Sequence, residues 1–60
     1  MRKIRDFYWN INGDILEVYI IDTNNTEYIL ATISDCGNIS NRKADRLTAE
    51  IIEENGYILQ

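Results

Sequence analysis

Residues 18–30, "VYIIDTNNTEYIL", set two apolar runs around a polar turn, and in each run apolar side chains occupy both alternating sets of positions. A strand places successive side chains on opposite faces, so this stretch reads as a hairpin from a sheet that is apolar on both sides. Asn24-Asn25 is the predicted turn, because asparagine tolerates positive φ better than most residues. Upstream, "FYWNINGDILEVYI" (7–20) carries Asn12-Gly13 between two alternating runs, the pattern of a two-residue type I′ hairpin.

The two turns predict registers that can be compared. A turn at Asn12-Gly13 sets Trp9 opposite Leu16 and Phe7 opposite Val18, while a turn at Asn24-Asn25 sets Ile20 opposite Ile29, Val18 opposite Ala31 and Leu16 opposite Ile33. Both place Leu16, Val18 and Ile20 on one face, together with Phe7, Trp9, Ile29, Ala31 and Ile33. A slip of one residue in either hairpin would send its whole apolar set to the other side, so the agreement predicts a meander of strands near 4–11, 15–22 and 26–33.

Beyond residue 41 the period changes. Ala44, Leu47, Thr48, Ile51 and Ile52 recur at the spacing of an amphipathic helix, which is predicted over about 41–55. Ser40 or Asn41 is the candidate N-cap, and Asn55-Gly56 supplies a left-handed stop. The helix stripe needs a surface, and the Phe7, Trp9, Leu16, Val18 face is the broad one available. The predicted fold is therefore α+β, a three-stranded antiparallel β-meander packed on one C-terminal α-helix (βββα), in a single domain over 1–60. "YILQ" (57–60) remains as a tail under the core or a fourth edge strand.

The face turned away from the helix collects Ile4, Asp6, Tyr8, Glu17, Tyr19, Ile21, Tyr28, Leu30 and Thr32. In an antiparallel sheet with one solvated side this set should be mostly polar. Here Tyr8, Tyr19, Ile21, Tyr28 and Leu30 form a predicted aromatic and apolar patch, with Ile21 opposite Tyr28, Tyr19 opposite Leu30, and Glu17 beside them. Cross-strand pairing of good strand formers accounts for part of this, and a tail folded back over the face is another solution. The reading favoured is a partner-binding surface, since tyrosine is enriched at interfaces and large exposed apolar patches mark association.

The totals bound the remaining classes. A chain of sixty residues buries only about 60% of the surface it exposes when unfolded, which makes a homodimer a natural expectation. One cysteine, Cys36, and no histidine leave no internal disulfide, argue against structural zinc, and remove the usual acid-base and thiol-activating residue, so no enzyme activity, metal or cofactor is expected. A lone thiol fits a reducing compartment or a link between two chains. "SDCGNIS" (34–40) reads as a connection in which Gly37 supplies positive φ and Asn38 or Ser40 caps the helix; Asp35, Asn38 and Ser40 carry too little charge for calcium. No stretch approaches the roughly 20 apolar residues of a membrane span, and "MRKIRDFYWN" has no apolar h-region, so the expected location is cytoplasmic, without membrane association.

Ten acidic residues against six basic ones give a net charge of −4, which argues against nucleic acid as the main partner. The bases form two clusters, Arg2, Lys3 and Arg5, and Arg42, Lys43 and Arg46. A helix of this length sets them roughly 20 Å apart, at about 1.5 Å per residue. Pairing with acids on neighbouring elements is favoured over an anion held at the helix N-terminus. In architecture, three strands backed by a helix resemble the DNA-binding domains of AP2 plant factors and the amino-terminal domains of phage and transposon integrases. That resemblance implies DNA contact through the sheet, although the open face carries Asp6 and Glu17 where those domains carry arginines. A DNA-binding accessory factor would instead use Arg2, Lys3 and Arg5 or the helix start, with Arg42, Lys43 and Arg46 as the alternative nucleic-acid contact.

The half "YILATISDCGNISNRKADRLTAEIIEENG" (28–56) is similar to short accessory proteins of phages and prophages, in which an "IA-I" strand and a polar loop lead into an alanine-rich helix with a "LIA" core. Leu30-Ala31-Thr32-Ile33 and Leu47-Thr48-Ala49-Glu50-Ile51-Ile52 occupy those positions, while the proline and second leucine run of the pattern are missing. The resemblance implies a protein that binds and blocks a host protein in the host cytoplasm, a class that includes anti-CRISPR inhibitors. It also admits nucleic-acid mimicry by Glu17, Asp22, Glu27, Glu50, Glu53 and Glu54. A structural subunit of a larger assembly is a third class.

Overall fold

The computed structural model describes residues 2–60. Three long strands, β1 (Arg2–Asn12), β2 (Ile15–Asp22) and β3 (Glu27–Ile33), form the antiparallel meander, and α1 (Asn41–Glu54) follows. A fourth strand, β4 (Tyr57–Leu59), then pairs parallel to the start of β1, so the sheet is mixed and ordered β3-β2-β1-β4. The chain thus leaves one edge of the sheet, crosses through the helix, and returns at the other edge. α1 packs over β1 and β4.

The first turn falls one residue later than Asn12-Gly13. Asn12 pairs with Ile15 around Gly13-Asp14, and only Gly13 of those two has positive φ, at 64°. Glycine at the first central position is the preference of a type II′ turn rather than the predicted I′. The cross-strand partners therefore move by two residues, to Trp9 opposite Val18 and Phe7 opposite Ile20. A two-residue move keeps every side chain on its face, which is why the predicted faces survive the wrong partners.

The second turn is a four-residue connection over 23–26. Its organiser is Asp22, whose Oδ1 accepts from the Asn24 and Thr26 backbone N–H groups, both at 2.9 Å. Asn25 takes the left-handed conformation, with φ of 67°. Leu16 opposite Ile33 and Val18 opposite Ala31 stand as predicted, but beyond Val18 the register shifts, pairing Tyr19 with Ile29, Ile20 with Tyr28 and Ile21 with Glu27. Leu30 is the extra residue of this bulge. A second register shift, between Ile4 and Asp6, makes Arg5 the extra residue in β1.

A bulge reverses the face of everything beyond it, and both bulges act on apolar residues. Ile4, predicted on the open face, turns into the core and is 1% exposed. Leu30 packs against the core, and Ile29, predicted inside, lies outside at 52% exposed. The core is Ile4, Leu16, Val18, Ile20, Cys36, Ala44 and Ile52, with Phe7, Trp9, Ile11, Leu30, Ile33, Ile39, Leu47, Ile51 and Tyr57 packed around it.

Ser40 caps α1 by accepting from the Lys43 backbone N–H at 3.1 Å, and the helix ends at Asn55-Gly56, where Gly56 has a φ of 76°. Between β3 and α1 the positive φ lies on Asp35, at 60°, and not on Gly37. Gly37 instead makes a close approach to the first turn. Its N–H donates to Asp14 Oδ1 at 3.1 Å, and a Cβ there would sit 2.8 Å from the same oxygen. Cys36 is buried, its backbone N–H bonded to the Asp14 carbonyl at 2.8 Å, so the thiol is a core side chain rather than a link between chains.

Candidate contact surface

On the face away from α1 the register builds three cross-strand rows: Asp6–Ile21–Glu27, Tyr8–Tyr19–Ile29 and Asn10–Glu17–Thr32. The middle row is its centre. Tyr8 and Tyr19 stack with ring centroids 4.8 Å apart and an interplanar angle of 9°, and Ile29 continues the row as one of the most exposed large apolar side chains. Ile15, opposite Asn12, adds a further exposed apolar group at the hairpin end.

Acidic groups border this centre. Glu17 Oε1 accepts from the Tyr19 hydroxyl at 3.1 Å and from Asn10 Nδ2 at 3.3 Å, which fixes the tyrosine and leaves the other carboxylate oxygen free of protein partners among the described residues. That hydrogen bond, followed by desolvation and the Glu17 and Glu27 charges, raises the Tyr19 pKa. For Tyr8 desolvation comes first, then the Glu27 carboxylate, and the direction is the same. Both hydroxyls remain protonated donors at neutral pH.

Of the predicted contact residues, Tyr8, Glu17, Tyr19 and Ile21 meet on this face, while Tyr28 and Leu30 do not. The bulge at Leu30 is the reason: Tyr28 pairs with Ile20 and projects on the helix side, 51% exposed, and Leu30 joins the core. Ile29 takes their place. No periodic signal marks this exchange, because 28–31 is apolar at four successive positions and either parity satisfies the pattern. The tail does not cover the face, since β4 pairs edge-on with Arg2, Lys3 and Ile4.

A second feature invisible to strand and helix periodicity is the indole of Trp9, whose N–H donates to Asp45 Oδ1 at 2.6 Å. The pair lies at a groove of about 430 Å³ between β1 and α1 that Thr48 also lines. Thr48 is buried and its hydroxyl has no partner among the described residues.

Arg42, Lys43 and Arg46, the alternative nucleic-acid residues, are brought together with Ser40 around a shallow depression of about 480 Å³. The other basic cluster lies at the far end of the helix and, among the described residues, does not form the predicted pairs with its acids. Arg2 donates to the Tyr57 hydroxyl at 3.1 Å and lies 5.6 Å from that ring's centroid, and Arg5 donates to Asn25 Oδ1 at 2.8 Å. Of the proposed mimic residues, Glu50, Glu53 and Glu54 are exposed along α1, whereas Asp22 is committed to its turn. Among the described residues no group of three or more His, Cys, Asp or Glu side chains is placed to hold a metal ion, and no described helix is long and apolar enough to cross a membrane. No family model, no curated protein and no solved structure matches the chain.

Proposed function

We propose that this chain is a non-catalytic protein-binding module of the phage accessory type, which holds and thereby blocks a host protein against the open face of its sheet. The observation that carries the reading is the row Tyr8–Tyr19–Ile29, an aromatic and aliphatic strip on a rigid sheet, left open to solvent and bordered by Asp6, Glu17 and Glu27. Such a strip offers large contact area at little conformational cost, because the tyrosine rings are already held by their stack and by Glu17. The acidic border selects a partner with a basic rim around an apolar centre.

The test is a photo-crosslinking residue placed at Tyr8 and, as a control, at Glu50 on the solvent side of α1, in cells and then with purified components. The expected result is one crosslinked protein from position 8 and none from position 50. That protein, once purified, should bind the wild-type chain and lose at least tenfold in affinity against Tyr19→Asp. Equal binding of Tyr19→Asp would reject the open face as the contact surface.

The basic depression supports a second reading, a small DNA-binding accessory factor acting through Arg42, Lys43 and Arg46. It requires duplex binding that weakens steeply with salt and disappears when all three are changed to alanine. Fluorescence anisotropy of a labelled duplex at low salt decides it, and an unchanged signal rejects it.

A further inference from the structure

β3 is an unusual edge strand. Five of its seven residues, Tyr28, Ile29, Leu30, Ala31 and Ile33, are apolar, yet none of the seven is buried. Its two most exposed apolar side chains, Tyr28 at 51% and Ile29 at 52%, point to opposite faces, so neither α1 nor the open-face packing covers it. One backbone edge is paired to β2 and the other is free. Soluble proteins usually guard such an edge with lysine or proline, and β3 has neither; its single charge is Glu27 at one end.

From this we infer that β3 pairs antiparallel with β3 of a second copy, joining two four-stranded sheets into one of eight strands. The side-chain faces select the register. The bulge leaves Tyr28, Leu30, Ala31 and Ile33 toward the helix side, and Glu27, Ile29 and Thr32 toward the open side. Antiparallel partners share a face, and one two-fold register satisfies this along the whole strand. It sets Tyr28 opposite the partner's Ile33, Ile29 opposite the partner's Thr32, and Leu30 opposite the partner's Ala31. The bulged pair Leu30-Ala31 of one strand then faces the bulged pair of the other, so the bulge that would disrupt pairing with a regular strand becomes a device for recognising itself.

Charge fits the same register. Glu27 falls opposite the partner's Ser34, and no two acids face each other across the junction. A two-fold axis normal to the sheet keeps both open faces on one side, so the Tyr8–Tyr19–Ile29 row of each copy meets the other copy's Asn10–Glu17–Thr32 row across the junction. The dimer rests on the edge alone and stands or falls separately from the choice of target.

Light scattering across a dilution series tests it, with wild type beside Tyr28→Lys, which guards the edge from the helix side, and Tyr8→Lys, which alters the open face on β1. The expected masses are twice the 7.0 kDa chain for wild type and for Tyr8→Lys, and the single chain mass for Tyr28→Lys. Thr32→Lys gives the same reading if Tyr28→Lys fails to fold. A wild-type monomer at millimolar concentration overturns the proposal. So does a dimer that survives the edge lysine, or one that Tyr8→Lys dissociates, which would mark sheets packed face to face.

Discussion

A tyrosine that donates to a carboxylate gives up its proton late, as Tyr19 does with Glu17, and desolvation followed by the Glu27 carboxylate shifts Tyr8 in the same direction. In the unfolded chain the two hydroxyls ionise near the usual value of about 10. In the folded chain they ionise above it, so through that interval the unfolded state binds fewer protons than the folded one, and stability falls as pH rises. Urea unfolding from about pH 8 to 11 should therefore show a contribution that is full below about pH 10 and is lost above it. Tyr19→Phe should flatten that decline, and tyrosinate absorbance should show two late-titrating groups in the wild type. The stack itself is worth about 0.5–1.5 kcal/mol beyond area burial, so these rings stabilise the sheet as well as presenting a surface. Sheet stability does not explain Ile29, which spends an isoleucine where more than half of it meets water.

Among the elements, α1 is held by its stripe and its cap against an unfavourable charge pattern. No acidic residue lies in its first turn and no basic one in its last, the reverse of what the macrodipole favours. Thermal unfolding should show Ser40→Ala losing about 1 kcal/mol and Arg42→Glu gaining about 0.3–1 kcal/mol. A loss in Arg42→Glu would mean that the arginine holds a structural contact. The helix was legible in the sequence because its signals are local: spacing, cap and stop all lie within its own residues. The strands were legible as alternating runs, and the face assignment of β2 survived a misplaced first turn because the error was an even number of residues. The bulges were not legible in the same way. Apolar 28–31 serves either parity, and only the fit of Leu30 under the sheet chooses between them; Ile4 gave a faint hint, as an apolar residue between Lys3 and Arg5 on a predicted outer face. β4 is three residues long, too short for any period, and forms because Gly56 and Gln60 anchor it to β1 through hydrogen bonds of 2.9 Å at each end. For the contact surface, Tyr8, Glu17, Tyr19 and Ile21 followed from alternation alone, and Ile29 required the bulge.

At the scale of the whole molecule, a chain this small has too few apolar residues to spend carelessly. Among the described residues a core of seven buried apolar side chains is stapled by no disulfide, and a typical domain of this size is stable by only about 3–9 kcal/mol, at roughly 0.05–0.15 kcal/mol per residue. Against that margin, leaving Tyr8, Ile15, Tyr28 and Ile29 exposed is a division of apolar side chains between core and contact surface. Two bulges draw the dividing line. Thermal or denaturant unfolding of Ile29→Asp and Leu30→Asp, adjacent residues with opposite assignments, measures that line directly in dilute protein. The account predicts that Ile29→Asp stays within about 0.5 kcal/mol of wild type, while Leu30→Asp loses about 2 kcal/mol or more by replacing apolar packing with a partly desolvated carboxylate set against the core. The reverse order, with Ile29→Asp the damaging change, would mean that β3 pairs without its bulge and that Ile29 belongs to the core.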